Sequence, residues 1–243
     1  MFNTFLTAKW ENLIMANYAV DPLLLKPYLP YGVELDFYEG QTFVSLVGFM
    51  FRETRLFQVP IPLLGTFEEV NLRFYVKRID NGIEKRGVVF INETVPYKPV
   101  AWLANKLYKE HYIAIPTKHD IQIGSHQKNV RYDWKINKAW NHLAVEAAIA
   151  KEAMQAGSME EFIFEHYFGY TKISEHKSQE YKVNHPRWQV NKVEEYTIDC
   201  DFAAMYGKEF SILGKQKPHS VILAEGSAVS VDWKRLPIEA MYS

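Results

Sequence analysis

The chain has 243 residues and a formal net charge of −1 at pH 7, from 28 basic and 29 acidic side chains. A balance so near zero offers no bulk field for recruiting nucleic acid or an anionic membrane surface, so neither is an expected partner. Hydrophobic residues make up 48% and aromatics 15%, enough for a large core, and the single cysteine, Cys200, rules out an internal disulfide or a thiolate zinc cluster.

Met1 to Trp10 lacks the basic start and continuous apolar stretch of a signal peptide. Trp10 to Val20 carries strand-forming residues. Asp21-Pro22 then reads as an N-cap with proline at the first helical position, opening a short helix to Leu29. Val33 to Tyr38 and Thr42 to Arg52 are predicted to pair as a hairpin around Glu39-Gly40. The second arm contains the longest near-apolar run, Phe43 to Phe51, which is too short to span a membrane. The expected location is therefore the cytoplasm.

After the turn Val59 to Pro62 comes the most informative strand, Phe67 to Val76. Side chains alternate along a strand, so Glu69, Asn71, Arg73 and Tyr75 share one face and Val70, Leu72, Phe74 and Val76 the other. Asn81-Gly82 is a strong hairpin turn, which makes Arg86 to Glu93 the partner strand. Pro99 to Lys109 reads as a helix. Tyr112 to Pro116, His119 to Ser125, Val130 to Asn137 and Trp140 to Ala147 form a meander. Ser158 with Glu161 three residues later is a capping box that starts a helix toward Tyr167. Thr171 to Val183 is a further hairpin region, and Glu194 to Met205 stays ambiguous. Ser220 to Glu225 and Ala228 to Trp233 are expected to turn at Gly226. The pattern predicts an α+β fold, mainly antiparallel β, with one curved or closed sheet and a few short helices over residues 1–243 as a single domain.

Motifs for phosphate or dinucleotide binding are missing, as are His-Glu-x-x-His and Gly-x-Ser-x-Gly. The histidines are scattered, so neither a metal nor any other cofactor is expected. Cys200 reads as a small buried apolar residue. His166, Tyr167 and Tyr170 read as an aromatic cluster packed on the sheet, and His185-Pro186-Arg187-Trp188 as a turn with a tryptophan anchor.

Several segments in order resemble the YqjF-like family. These are Leu29-Pro30-Tyr31-Gly32-Val33-Glu34-Leu35-Asp36, Phe43-Val44-Ser45-Leu46-Val47 and, most specifically, Glu69-Val70-Asn71-Leu72-Arg73-Phe74-Tyr75-Val76. Gly87-Val88-Val89-Phe90, Glu165-His166-Tyr167-Phe168-Gly169-Tyr170 and His185-Pro186-Arg187-Trp188 follow. That family is similar to acetoacetate decarboxylase, which implies an open, cone-like β-barrel around an interior pocket. The decarboxylases use a pocket lysine that forms a Schiff base with a β-keto acid, which requires the amine to lose its proton near neutral pH. Through the resemblance, Glu69 matches the pocket glutamate, and the polar stripe read from alternation agrees with it.

The lysine does not carry over. Tyr112 falls at its position, and a phenol cannot form an iminium. Lys106 and Lys109 lie close by, and the sequence leaves open whether either replaces it.

Three functions remain in play: a small-molecule binding protein for an organic acid or carbonyl compound, an enzyme using other chemistry, and an interaction domain that uses the sheet surface. For the first, Glu69, Asn71, Arg73, Tyr75 and Tyr112 are the candidate ligand-binding residues. For the second, Tyr112 or His111 is the candidate acid/base and Arg73 holds a carboxylate. A homo-oligomer is compatible with all three.

Overall fold

The computed structural model describes residues 4–239; the first three residues of the N-terminal segment read above lie outside it. Seven strands follow one another around a ring: β1 (Thr4–Val20), β3 (Thr42–Leu56), β5 (Phe67–Asp80), β6 (Ile83–Val95), β11 (Phe168–Ser174), β12 (Lys177–Asn184) and β14 (Ser220–Glu239). The antiparallel pairing of β1 with β14 closes it. Its thinnest seam is β6 to β11, a parallel contact of only two residue pairs, Phe168 with Gly87 and Gly169 with Val88.

The other edge of β14 also carries a side sheet, β13 (Gln189–Asp199), β10 (Ala139–Ala153), β9 (Gln127–Ile136) and β8 (Thr117–Ile123). This side sheet folds back over the ring. The outward residues Val70, Leu72, Phe74 and Val76 share a core with Tyr132 and Trp134 of β9 and Leu143 and Val145 of β10. Strands thus cover much of that face. Gly48 makes the close approach possible, because a Cβ there would sit 2.7 Å from the Tyr132 ring.

Helices α1 (Pro22–Leu25), α2 (Lys98–Tyr108), α3 (Met159–Phe164) and α4 (Phe202–Tyr206) occupy the connections. The Asp21 side chain accepts from the Leu23 amide at 2.8 Å, and Ser158 Oγ accepts from the Glu161 amide at 3.2 Å, so both sequence caps form.

Three expectations are corrected. The first hairpin does not form beyond a Tyr38–Gln41 bridge, because Asp36 leaves strand geometry to meet Arg86 and His166. The short β2 (Glu34–Leu35) pairs with β5 instead. Tyr112 does not begin the meander; β7 (Tyr112–Ala114) lies parallel to β6. Gly226 is no turn but a kink within one continuous 20-residue strand. Its φ of +83° and the approach of Trp10 O, 1.9 Å from where a Cβ would stand, both demand glycine. The pair β4 (Val59–Pro60) with β3 completes the sheet.

Candidate functional site

The ring encloses a cavity of about 150 Å³, walled by aromatic and aliphatic side chains such as Trp10, Leu13, Phe49 and Phe51 and by Leu103 of α2. A space of this size admits a molecule of benzene's dimensions. Into it β5 projects Glu69, Asn71 and Arg73, the three residues that alternation placed on one face.

Two further carboxyls join them. Strict alternation from Val88 and Phe90 would turn Glu93 outward. A bulge at Ile91 shifts the register so that Asn92 faces Leu72 and Phe90 faces Arg73, and Glu93 then turns inward opposite Asn71. Glu110 arrives by another device. Lys109 ends α2 in the left-handed conformation, φ 59°, with its amide on Asn105 O, so Lys109 faces solvent and Glu110 is buried.

The three carboxyls have unequal partners. Glu69 accepts from Asn71 Nδ2 at 2.9 Å and from the Tyr112 hydroxyl at 3.0 Å. Glu110 Oε1 accepts from Thr171 Oγ1 at 2.7 Å and from the Tyr181 hydroxyl at 2.9 Å. Glu93 is near enough to the Tyr112 phenol for it to favour the carboxylate, while its Oε2 has no partner among the described residues. Taking a carboxylate out of water penalises its charged form. Burial therefore lifts Glu69 to about 7 against its hydrogen bonds and the charge of Arg73, and lifts Glu110 to about 7 against Thr171 and Tyr181. Glu93 is raised too, by burial and then by the other two carboxyls. Burial beside these acids also pushes the Tyr112 and Tyr181 phenols up. Asn105 holds β7 in place, donating from Nδ2 to Tyr112 O at 2.9 Å and accepting from the Tyr112 amide at 2.7 Å.

Arg73 supplies the cavity's cation. Its Nη2 reaches only Ile163 O at 3.4 Å and Met15 Sδ at 3.6 Å, and its Nε is buried without a partner. Among the described residues it forms no ion pair. The carboxyl whose field it shares is Glu69, which burial lifts to about 7, so near neutrality it offers Arg73 only part of a counter-charge. The guanidinium is left available to an anion.

His166 forms another part of the wall. Its Nε2 lies 3.1 Å from Asp36 Oδ2, and Arg86 Nε donates to the same oxygen at 2.7 Å. Burial opposes ionisation of Asp36, but hydrogen bonds from His166 and Arg86 hold it at about 2. Burial lowers His166 to about 4 despite Asp36, so the ring is neutral and donates from Nε2, leaving Nδ1 without a partner.

Four sequence candidates, Glu69, Asn71, Arg73 and Tyr112, thus line one cavity. Tyr75 is on the same strand face but does not reach it; its hydroxyl is committed to Ser45 at 2.6 Å, and Phe162 and His166 pack on its ring. His111 is exposed and contributes only its carbonyl, to the Glu93 amide at 3.2 Å. Lys106 and Lys109 are exposed, Lys106 resting over Trp102, and none of the cavity-lining residues described is a lysine. His166 and His185, read as packing and turn residues, prove to be on the wall. Cys200 is only partly buried, beside a separate surface cleft.

Residues 7–228 match the model of DUF2071, described as an uncharacterized conserved protein. The chain belongs to this family. Within 68 residues it is 38% identical to the uncharacterized protein YqjF of Bacillus subtilis (strain 168), a match covering 28% of each chain. An acetoacetate decarboxylase-like enzyme from Sphingomonas wittichii RW1 superposes with a TM-score of 0.65 at 11% identity, over 98% of this chain and 94% of that one. The enduracididine biosynthesis enzyme MppR, in complex with pyruvate, gives 0.63 at 10% identity over 98% and 91%. The acetoacetate decarboxylase of Legionella pneumophila gives 0.59 at 12% identity over 100% and 90%. Identities this low establish a shared fold. The DUF2071 chain therefore has the acetoacetate decarboxylase-like architecture that its sequence resemblance implied. Among its described residues, no helix is long and apolar enough to cross a membrane.

Proposed function

We propose that the cavity binds a small organic acid or carbonyl compound, its carboxylate on Arg73 and its remaining polar atoms toward Glu69 and Tyr112. The observation that carries this reading is a guanidinium that, among the described residues, has no ion-pair partner beside a largely apolar cavity. A desolvated arginine gains most from a carboxylate that it can grip with two parallel hydrogen bonds. The pyruvate complex of MppR, a protein of the same fold, suits this ligand class.

Calorimetric titration with pyruvate and with its uncharged amide tests it. Pyruvate is expected to bind, the amide at least about tenfold more weakly, and Arg73→Ala to erase the difference, as the loss of a charged hydrogen bond predicts. Equal binding of both by the wild-type protein would remove Arg73 from the site.

Schiff-base chemistry is not part of this proposal, because Tyr112 lacks an amine and Lys106 and Lys109 face solvent. Borohydride treatment with acetoacetate should leave no adduct on either lysine.

A second reading, an enzyme with acid/base chemistry, draws on Glu69. A buried carboxyl held at about 7 and bonded to a phenol is suited to giving and taking protons at neutral pH. Exchange of the methyl protons of pyruvate for solvent deuterium, absent in Glu69→Gln, would favour it over simple binding.

A further inference from the structure

With its carboxyls ionised, the acidic end of the cavity has more acceptors than donors. Asn71 is 2% exposed and lines the cavity; its Nδ2 donates one N–H to Glu69, which fixes the amide's orientation, and its Oδ1 has no partner among the described residues. Opposite it in the strand register, Glu93 is also 2% exposed and its Oε2 is likewise unpartnered. Buried acceptors without donors are uncommon, because each loses water and gains nothing in return. Glu69 and Glu110 stand near enough to Glu93 to act on its charge. The group that would relieve all of this is a cation carrying N–H donors.

A metal ion is not the match. No set of three or more histidine, cysteine, aspartate or glutamate side chains among the described residues is placed to hold one. A neutral hydroxyl would satisfy one acceptor but bring no charge to offset the clustered carboxyls. An ammonium group supplies up to three donors and lets a neighbouring carboxyl ionise, which converts ordinary hydrogen bonds into charge-assisted ones. The cavity's own cation, Arg73, lies four residues along β5 from Glu69, toward Ile163 of α3.

We propose that the natural ligand is a zwitterion of amino-acid type, its protonated amine seated against Asn71 and Glu93 and its carboxylate on Arg73. This rests on the reading that the cavity binds small acids through Arg73, and it adds the second pole.

The test is calorimetric titration of the full chain at pH 7 with two matched series. One is glycine, β-alanine, 4-aminobutyrate and 5-aminopentanoate; the other is the methyl-ended carboxylates of the same lengths. One amino acid of fitting length should bind about tenfold or more tightly than its methyl-ended counterpart, as expected for a desolvated ionic hydrogen bond. Glu93→Gln should abolish that preference while leaving carboxylate affinity intact. Arg73→Ala should weaken both series.

A second readout needs no variant. The titratable or charged groups facing this end are Glu69, Glu93, Glu110, Tyr112, Tyr181 and Arg73. An arriving ammonium should displace protons from the acids, seen as a binding enthalpy that varies with the ionisation enthalpy of the buffer. Carboxylates that bind through Arg73 as tightly as the amino acids, with no proton release, would overturn this inference and leave the binding of small acids standing. If neither series binds, both readings fail.

Discussion

The hydroxyl of Tyr112 donates to Oε2 of Glu69 across 3.0 Å, joining β7 to β5 inside the ring. The contact couples a phenol with a carboxyl whose proton is held at about 7. Tyr112→Phe removes one of the two donors that favour the Glu69 carboxylate. The Glu69 titration, followed by carbon-13 NMR of labelled glutamate, should therefore move above about 7, with a loss of about 1 kcal/mol in stability. An unmoved midpoint would mean that the phenol is not bonded to Glu69 in solution.

The buried acids also set a pH dependence. A carboxyl raised from its ordinary 4.5 to about 7 binds its proton more tightly folded than unfolded. Its stabilising contribution is full below the unfolded value and is lost as pH rises through about 7. The lowered histidines, His142, His166 and His185, act in the opposite sense, mainly below their ordinary value of 6.5. Between about pH 6.5 and 8, Tm should therefore fall as pH rises. Glu69→Gln should flatten that slope and stabilise the fold at pH 8 by about 2 kcal/mol, measured by scanning calorimetry. A Tm that climbs across this window would contradict the burial of the acids.

Asp36 serves two donors at once, His166 at 3.1 Å and Arg86 at 2.7 Å. Both donate to Oδ2, while Oδ1 accepts from the Phe37 amide at 3.0 Å, so in Asp36→Asn the amide N–H would confront either His166 and Arg86 together or the Phe37 amide. Urea unfolding should show a loss of about 3 kcal/mol. A change within about 0.5 kcal/mol would mean that the contact is exposed and interchangeable.

Two glycines with similar backbone angles give a controlled pair. At Gly226, φ +83°, a Cβ would collide with Trp10 O, whereas at Gly40, φ +78°, nothing lies within 4 Å. Gly226→Ala should fail to fold or lose more than about 3 kcal/mol, and Gly40→Ala should lose about 1 kcal/mol, by urea unfolding. Equal losses would refute the strand crossing at β14.

The fold was legible wherever one residue's role repeated at fixed spacing. Alternation along Phe67 to Val76 sorted Glu69, Asn71 and Arg73 from Val70, Leu72 and Phe74, and the structure keeps that division between cavity and outer core. It failed where a local irregularity changes parity. Glu93 depends on a bulge at Ile91, and Glu110 on the left-handed Lys109; neither leaves a periodic trace. Only the presence of a carboxylate in a strand of Val, Phe and Ile could have flagged Glu93. His166 was hidden differently, because its partners Asp36 and Arg86 are distant in sequence and nothing local announces them. Gly226 reads as a turn in the sequence and lies inside a strand because glycine serves turns and close strand crossings alike.

A crystal of the protein soaked in pyruvate would show whether an interior site grips a carboxylate through Arg73. The ligand is expected inside the strand ring, with both carboxylate oxygens within hydrogen-bonding distance of the Arg73 guanidinium. Pyruvate bound only on the outer surface, or a ring interior that stays free of it at saturating concentration, would mean that Arg73 holds no acid there.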